Sequence, residues 1–252
     1  MGKIIAVANQ KGGVGKTTTC VNLCAALALT GAKVLLCDMD PQGNATSGLG
    51  VDKNKGVPNM YNVLIDGVDA AGVIVKTQYG DVLPSNQILS GAGIELVTTQ
   101  DREFVLKNVL AEISNNYNYI LIDCPPSLEM LTVNSLCAAN TVLIPVQCEY
   151  YALEGLTDLI STIRMIKKAL NPSLDIEGVL LTMYDTRTSF SAQVATEIKK
   201  FFKQKVFNVS IPRNVRLAEA PSHGMPVMEY DRPSRGSLAY MELAKELIKR
   251  NS

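Results

Sequence analysis

The sequence holds a single histidine, His223, and no C-x-x-C pair among its six cysteines, Cys20, Cys24, Cys37, Cys124, Cys137 and Cys148. A zinc site has almost nothing to draw on. No run approaches the roughly 18 apolar residues that a membrane-spanning helix requires. Met1-Gly2-Lys3 leads into only Ile4–Ala8 before polar residues return, too short a stretch for the core of an export signal. Without export, a disulfide framework is out of place at this length, and cysteines inside apolar runs read as small buried hydrophobes. A soluble, cytoplasmic protein is expected. No linker, repeat or low-complexity segment interrupts the chain.

What is present suits a single α/β domain over residues 1–252. Hydrophobic residues make up 47% and charged residues 19%, enough to bury a sizeable core. The net charge of zero hides a split. Residues 1–163 carry 9 Lys+Arg against 15 Asp+Glu, and residues 164–252 carry 15 against 9. A basic C-terminal third is either an ordinary solvated surface or a face for a polyanion.

Short β-branched runs alternate with helical patterns. Strands are expected at Ile4–Asn9, Lys33–Asp38, Tyr119–Asp123, Thr141–Gln147, Ile176–Met183 and Val206–Ile211. Helices are expected at Lys16–Thr30, Asp101–Asn115, Ala152–Leu170, Ser189–Phe202 and Ser234–Arg250. This alternation predicts a mostly parallel twisted sheet covered by helices on both faces. The irregular region 52–100 reads as an excursion at the sheet edge.

Between the first strand and first helix lies Lys11-Gly12-Gly13-Val14-Gly15-Lys16-Thr17-Thr18. Glycines let backbone amides turn inward around an anion, and the helix N-terminus adds partial positive charge. In such a loop Lys16 reaches the β- and γ-phosphates of ATP, the Thr17 hydroxyl ligates Mg²⁺, and Thr18 adds a phosphate contact. The first glycine of the usual G-x-x-x-x-G-K-[ST] pattern is replaced by Gln10. Asp123 ends its strand as a Walker B aspartate does. Asp38 and Asp40 follow the second strand, where one of them would orient the attacking water. Each also suits a strand-end turn. All three fall at the edge where open α/β sheets bind ligands.

These residues resemble the ParA/MinD group of P-loop ATPases, Soj-type ParA proteins most of all. The resemblance covers nearly the whole chain. It rests on the deviant loop with its early lysine, on Asp38–Asn44 with Ala45–Gly50, and on Asp123-Cys124-Pro125-Pro126-Ser127. It rests also on Pro145–Gly155, which contains Tyr150 and Tyr151, and on Ile211–Ser222. The resemblance implies an ATP-sandwich homodimer in which Lys11 crosses to the partner's phosphates. It makes Lys11, Lys16 and Asp40 catalytic, and makes Thr17, Asp38 and Asp123 the magnesium shell. Pro212, Arg213 and Asn214 fall at its adenine pocket. It also implies non-specific binding of double-stranded DNA, with Arg187 and Arg216 at matching positions and Lys199 and Lys203 as further candidates. A ParB/Spo0J-type partner would stimulate slow hydrolysis during chromosome or plasmid segregation on the nucleoid. A MinD-like division-site regulator is the alternative, but nothing beyond the final helix reads as a membrane anchor. A nitrogenase iron protein relative would need cysteines in a cluster motif, and Cys124 and Cys148 form none.

Overall fold

The computed structural model describes residues 2–55, 58–149, 152–185 and 187–251. Tyr150 and Tyr151 of the Pro145–Gly155 motif lie outside them. The strands β1 (Lys3–Val7), β2 (Val34–Asp38), β3 (Val75–Thr77), β4 (Gly80–Leu83), β5 (Tyr119–Asp123), β6 (Thr141–Gln147) and β7 (Asp175–Thr182) form one sheet. Their order is β3-β4-β2-β5-β1-β6-β7. Every neighbouring pair is parallel except β3 with β4.

Side-chain alternation sorts the two cores. Ile4, Ala6 and Ala8 face one layer, and Ile5 and Val7 face the other. The second layer is filled by α1 (Lys16–Leu29), whose residues Thr19–Leu27 are all buried. Helix α1 lies between the sheet and the last helix, so it carries no polar stripe. After it come α2 (Asn44–Gly48), α3 (Met60–Leu64), α4 (Ala70–Val73), α5 (Leu89–Glu95), α6 (Val105–Ile113), α7 (Met130–Ala138), α8 (Ala152–Ala169) and α9 (Ser189–Phe202). The chain ends with α10 (Val215–Glu219), α11 (Val227–Tyr230) and α12 (Arg235–Asn251). Helices α10, α11 and α12 cover the α1 side, while α3 and α6–α9 cover the opposite face. The region 52–100 does build the sheet edge, through the β3–β4 hairpin beside β2.

Three expectations need correction. Residues 206–211 do not form a strand: one isolated bridge, Val206 to Val179, joins them to β7, because the amides of Asn208 and Val209 donate instead to the Glu246 carboxylate of α12, at 3.0 and 3.1 Å. The helix expected from Asp101 begins at Val105. Asp101 has φ 52°, and the Phe104 amide closes a turn onto its carbonyl. Helix α7 was not expected at all. Among the described residues no helix is long and apolar enough to cross a membrane.

Candidate nucleotide-binding site

The loop between β1 and α1 is left-handed at Gly13 (φ 73°) and Gly15 (φ 89°), conformations that a side chain resists. It is pinned to two neighbouring strands. Asn9 donates to the Pro145 carbonyl of β6 (2.7 Å) and accepts from the Lys11 amide (3.0 Å). Thr182 of β7 donates to the Val14 carbonyl at 2.8 Å.

The two loop lysines differ. Lys16 is 7% exposed, and its ammonium donates to the Lys11 carbonyl at 3.1 Å. Burial lowers its pKa, against the opposing pull of Asp123. Lys11 points outward and pairs with Glu149 at 2.7 Å, both side chains well exposed.

Asp38 and Asp123 are paired across adjacent strands β2 and β5, and both are fully buried. Burial raises both carboxyl pKa values above the ordinary range. The charge of Asp38 raises Asp123 further, while Thr17 and Cys20 pull it down. Asp38 has partners on both oxygens: Oδ2 accepts from the Thr46 amide and hydroxyl, and Oδ1 from the Asp40 amide. Asp123 Oδ2, in contrast, is a buried oxygen with no hydrogen-bond partner among the described residues. An orphaned carboxylate oxygen beside Thr17 fits a hydrated cation, since Mg²⁺ keeps several waters and takes one or two carboxylates plus substrate phosphates. Thr17 and Asp123 would hold it, with Asp38 behind them, and the ion would neutralise charge on the phosphates.

A carboxyl whose pKa rises on folding favours the folded state at low pH. That contribution is lost as pH climbs from about 4 through the raised value. Asp123→Asn removes the group. The nucleotide-free variant should therefore show a flatter fall of Tm between about pH 4 and 8 than the parent, by about 2–4 °C, in a calorimetric pH series.

Beside the loop opens a mainly apolar cavity of about 360 Å³, lined by Gly15 and Thr18 on one side and by Pro212, Arg213 and Asn214 on the other. The structure thus brings the three residues expected at an adenine pocket to the phosphate loop. Leu217 and Tyr240 also line it and were not foreseen. The Tyr240 hydroxyl lies 3.2 Å from that of Thr19 on α1. A Cβ on Gly236 would sit 2.7 Å from Leu217 Cγ. Gly236→Ala should push Leu217 into the cavity and weaken ATP binding up to about tenfold in a titration with a fluorescent ATP analogue.

The expected DNA residues are surface groups. Arg187 forms a two-pronged pair with Asp185, at 2.9 and 2.8 Å. Arg216 is held by Glu219 and Asp231, at 2.8 and 3.0 Å. Lys199 and Lys203 are exposed and carry no salt bridge among the described residues. Arg187, Arg213 and Arg235 share a cleft that has Pro212 and Arg213 in common with the apolar cavity.

Comparison with known proteins agrees with this geometry. Residues 2–176 match the model of a family described as AAA domain. The chain is 57% identical over 249 residues to the sporulation initiation inhibitor protein Soj of Bacillus subtilis, covering 98% of each. The chain belongs to the ParA/Soj family of P-loop ATPases. A second member, the chromosome-partitioning ATPase Soj of Treponema pallidum, is 50% identical over 253 residues, covering 100% of this chain and 99% of its own. The fold is shared with cobyrinic acid a,c-diamide synthase from Mycobacterium smegmatis with bound ADP and magnesium. That structure has TM-score 0.87 and 38% identity, covering 99% and 95% of the two chains. The ParA/Soj members are nearer in sequence, so they carry the functional comparison.

Proposed function

We propose that the whole chain, residues 1–252, acts as one ATPase domain that binds Mg²⁺·ATP, dimerises over it, and holds DNA in that state for chromosome or plasmid partition. The observation that carries this reading is the apolar cavity at Gly15 and Thr18, reached from the phosphate loop and walled by Pro212, Arg213 and Asn214. It takes an adenine while Gly12–Thr18 take the phosphates. Thr17, Asp38 and Asp123 serve the magnesium shell. Asp40 positions the water, and Lys16 supports charge on the transferred phosphate. Lys11 is outward-facing and, among the described residues, its side chain is held by one exposed ion pair worth under about 1 kcal/mol, so it exchanges readily for a phosphate of the partner's ATP.

The arginine cleft adjoining the cavity places cations where nucleotide state can act on them, with Arg187, Arg216, Lys199 and Lys203 along the same basic third. A ParB/Spo0J-type protein would stimulate hydrolysis and release the DNA. Retention of non-specific duplex DNA, with and without ATP, tests the reading. Binding should need ATP and Mg²⁺ and weaken steeply between roughly 50 and 300 mM salt. DNA binding indifferent to ATP, or ATP-dependent sedimentation with anionic liposomes in place of DNA retention, would sink it. The second result would point to a MinD-type role.

A further inference from the structure

Thr46 sits in the first turn of α2 and belongs to none of the roles given above. It is fully buried. Its hydroxyl donates to Asp38 Oδ2 at 2.7 Å and accepts from the Ser85 amide at 2.9 Å. Its own amide donates to the same Asp38 oxygen at 2.8 Å. Ser85 follows β4, is 1% exposed, and donates its hydroxyl to the Asp40 carbonyl at 2.9 Å. The Asp40 amide returns to Asp38 Oδ1 at 3.1 Å. Asp38, Thr46, Ser85 and Asp40 therefore close a ring of hydrogen bonds joining the ends of β2 and β4.

The ring grips the Asp40 peptide from both sides, its N–H through Asp38 and its C=O through Ser85. The Asp40 carboxylate then accepts from the Gln42 amide at 2.9 Å, which sets its direction. Close packing confirms how tight the turn is. Gly43 (φ 61°) donates to the Asp40 carbonyl, and a Cβ there would stand 2.6 Å from the Ser85 carbonyl oxygen.

We propose that Thr46 is a positioning residue for ATP hydrolysis, its hydroxyl closing the ring that fixes where the Asp40 carboxylate points. The inference rests on Asp40 being the water-positioning acid. The site needs one donor and one acceptor on a single buried atom, and a hydroxyl supplies both. Its β-branch stiffens χ1. Valine has nearly the same shape and supplies neither, leaving the Ser85 N–H without its acceptor and Asp38 Oδ2 with the residue-46 amide alone. The phosphate loop and the base cavity are built from other residues, and Asp38 keeps the residue-46 amide when only the hydroxyl is removed, so ATP affinity is carried mainly outside the ring.

The test compares Thr46→Val and Thr46→Ser in the full chain, reading kcat, ATP affinity and Tm. Thr46→Val should lower kcat about tenfold or more, because small displacements of a catalytic group are costly. ATP affinity should stay within about threefold, and Thr46→Ser should recover most of kcat, as the shared hydroxyl dictates. A normal kcat in Thr46→Val with only a lower Tm overturns the proposal, as does a serine variant no better than valine. Should Thr46→Val fail to fold, Ser85→Ala removes only the bond to the Asp40 carbonyl. A kcat reduced severalfold at unchanged ATP affinity supports the ring, and an unchanged kcat overturns it. Asp40→Ala is measured alongside. Full turnover in that variant defeats the reading of Asp40 itself. Loss there with normal turnover in Thr46→Val defeats only the role of Thr46.

Discussion

Asp40→Ala is expected to slow ATP hydrolysis by about 10²–10³-fold while leaving ATP bound, the loss typical of removing a group that orients or accepts a proton in the reaction. Asp40 sits two residues past the end of β2, only partly buried, with its backbone gripped by Asp38 and Ser85. Neither the phosphate loop nor the base cavity depends on its side chain. The variant should fold, bind Mg²⁺·ATP with parental affinity, and remain in the ATP-bound dimer. On the proposed function, DNA retention should then last longer than in the parent, and a ParB-type partner should no longer shorten it. Single-turnover hydrolysis and a DNA-release time course read the two halves. Fast hydrolysis with normal release would remove Asp40 from its role.

How much of this was legible in the sequence depends on whether the determining contacts are local. Tyr119–Asp123 is a five-residue apolar run ending in an acid, and β5 spans those same residues. The phosphate loop is equally local, since its glycines and helix start are contiguous. Helix α7 is the reverse case. Its polar residues Thr132, Asn134 and Ser135 are buried, bonded to the Ser127, Arg102 and Leu131 carbonyls, so no amphipathic period marks it. Residues 206–211 look like a strand because their partner in α12, Glu246, lies 37 residues or more away. The site divides along the same line. Asp38, Asp40 and Asp123 could be read from their strand ends. Thr46, Ser85, Leu217 and Tyr240 enter only through contacts that the fold creates, and a threonine or serine in a polar stretch signals nothing by itself.

Lys16→Ala and Lys11→Ala should separate two losses that originate five residues apart. Lys16 is nearly buried, lies among Asp123 and Asp40, and holds its ammonium inside the loop. Truncating one partner of a desolvated charge pair costs about 2–5 kcal/mol, so ATP affinity should fall by roughly 10²-fold or more. On the proposed function, everything that follows ATP binding should go with it: turnover, dimerisation and DNA retention. Lys11 has no such setting. Its side chain is well exposed and, among the described residues, pairs with Glu149 alone, so the isolated subunit loses little when it is removed, and Lys11→Ala should bind ATP within about threefold of the parent. On the proposed function, what it should lose is the dimer, because a cation that reaches the partner's phosphates would act only when two subunits meet. Equilibrium ATP titration paired with sedimentation velocity in ATP distinguishes the two variants. Loss of ATP affinity in both would mean that the lysines act together in one subunit. Parental dimerisation in Lys11→Ala would mean that Lys11 remains a loop-surface cation beside Glu149.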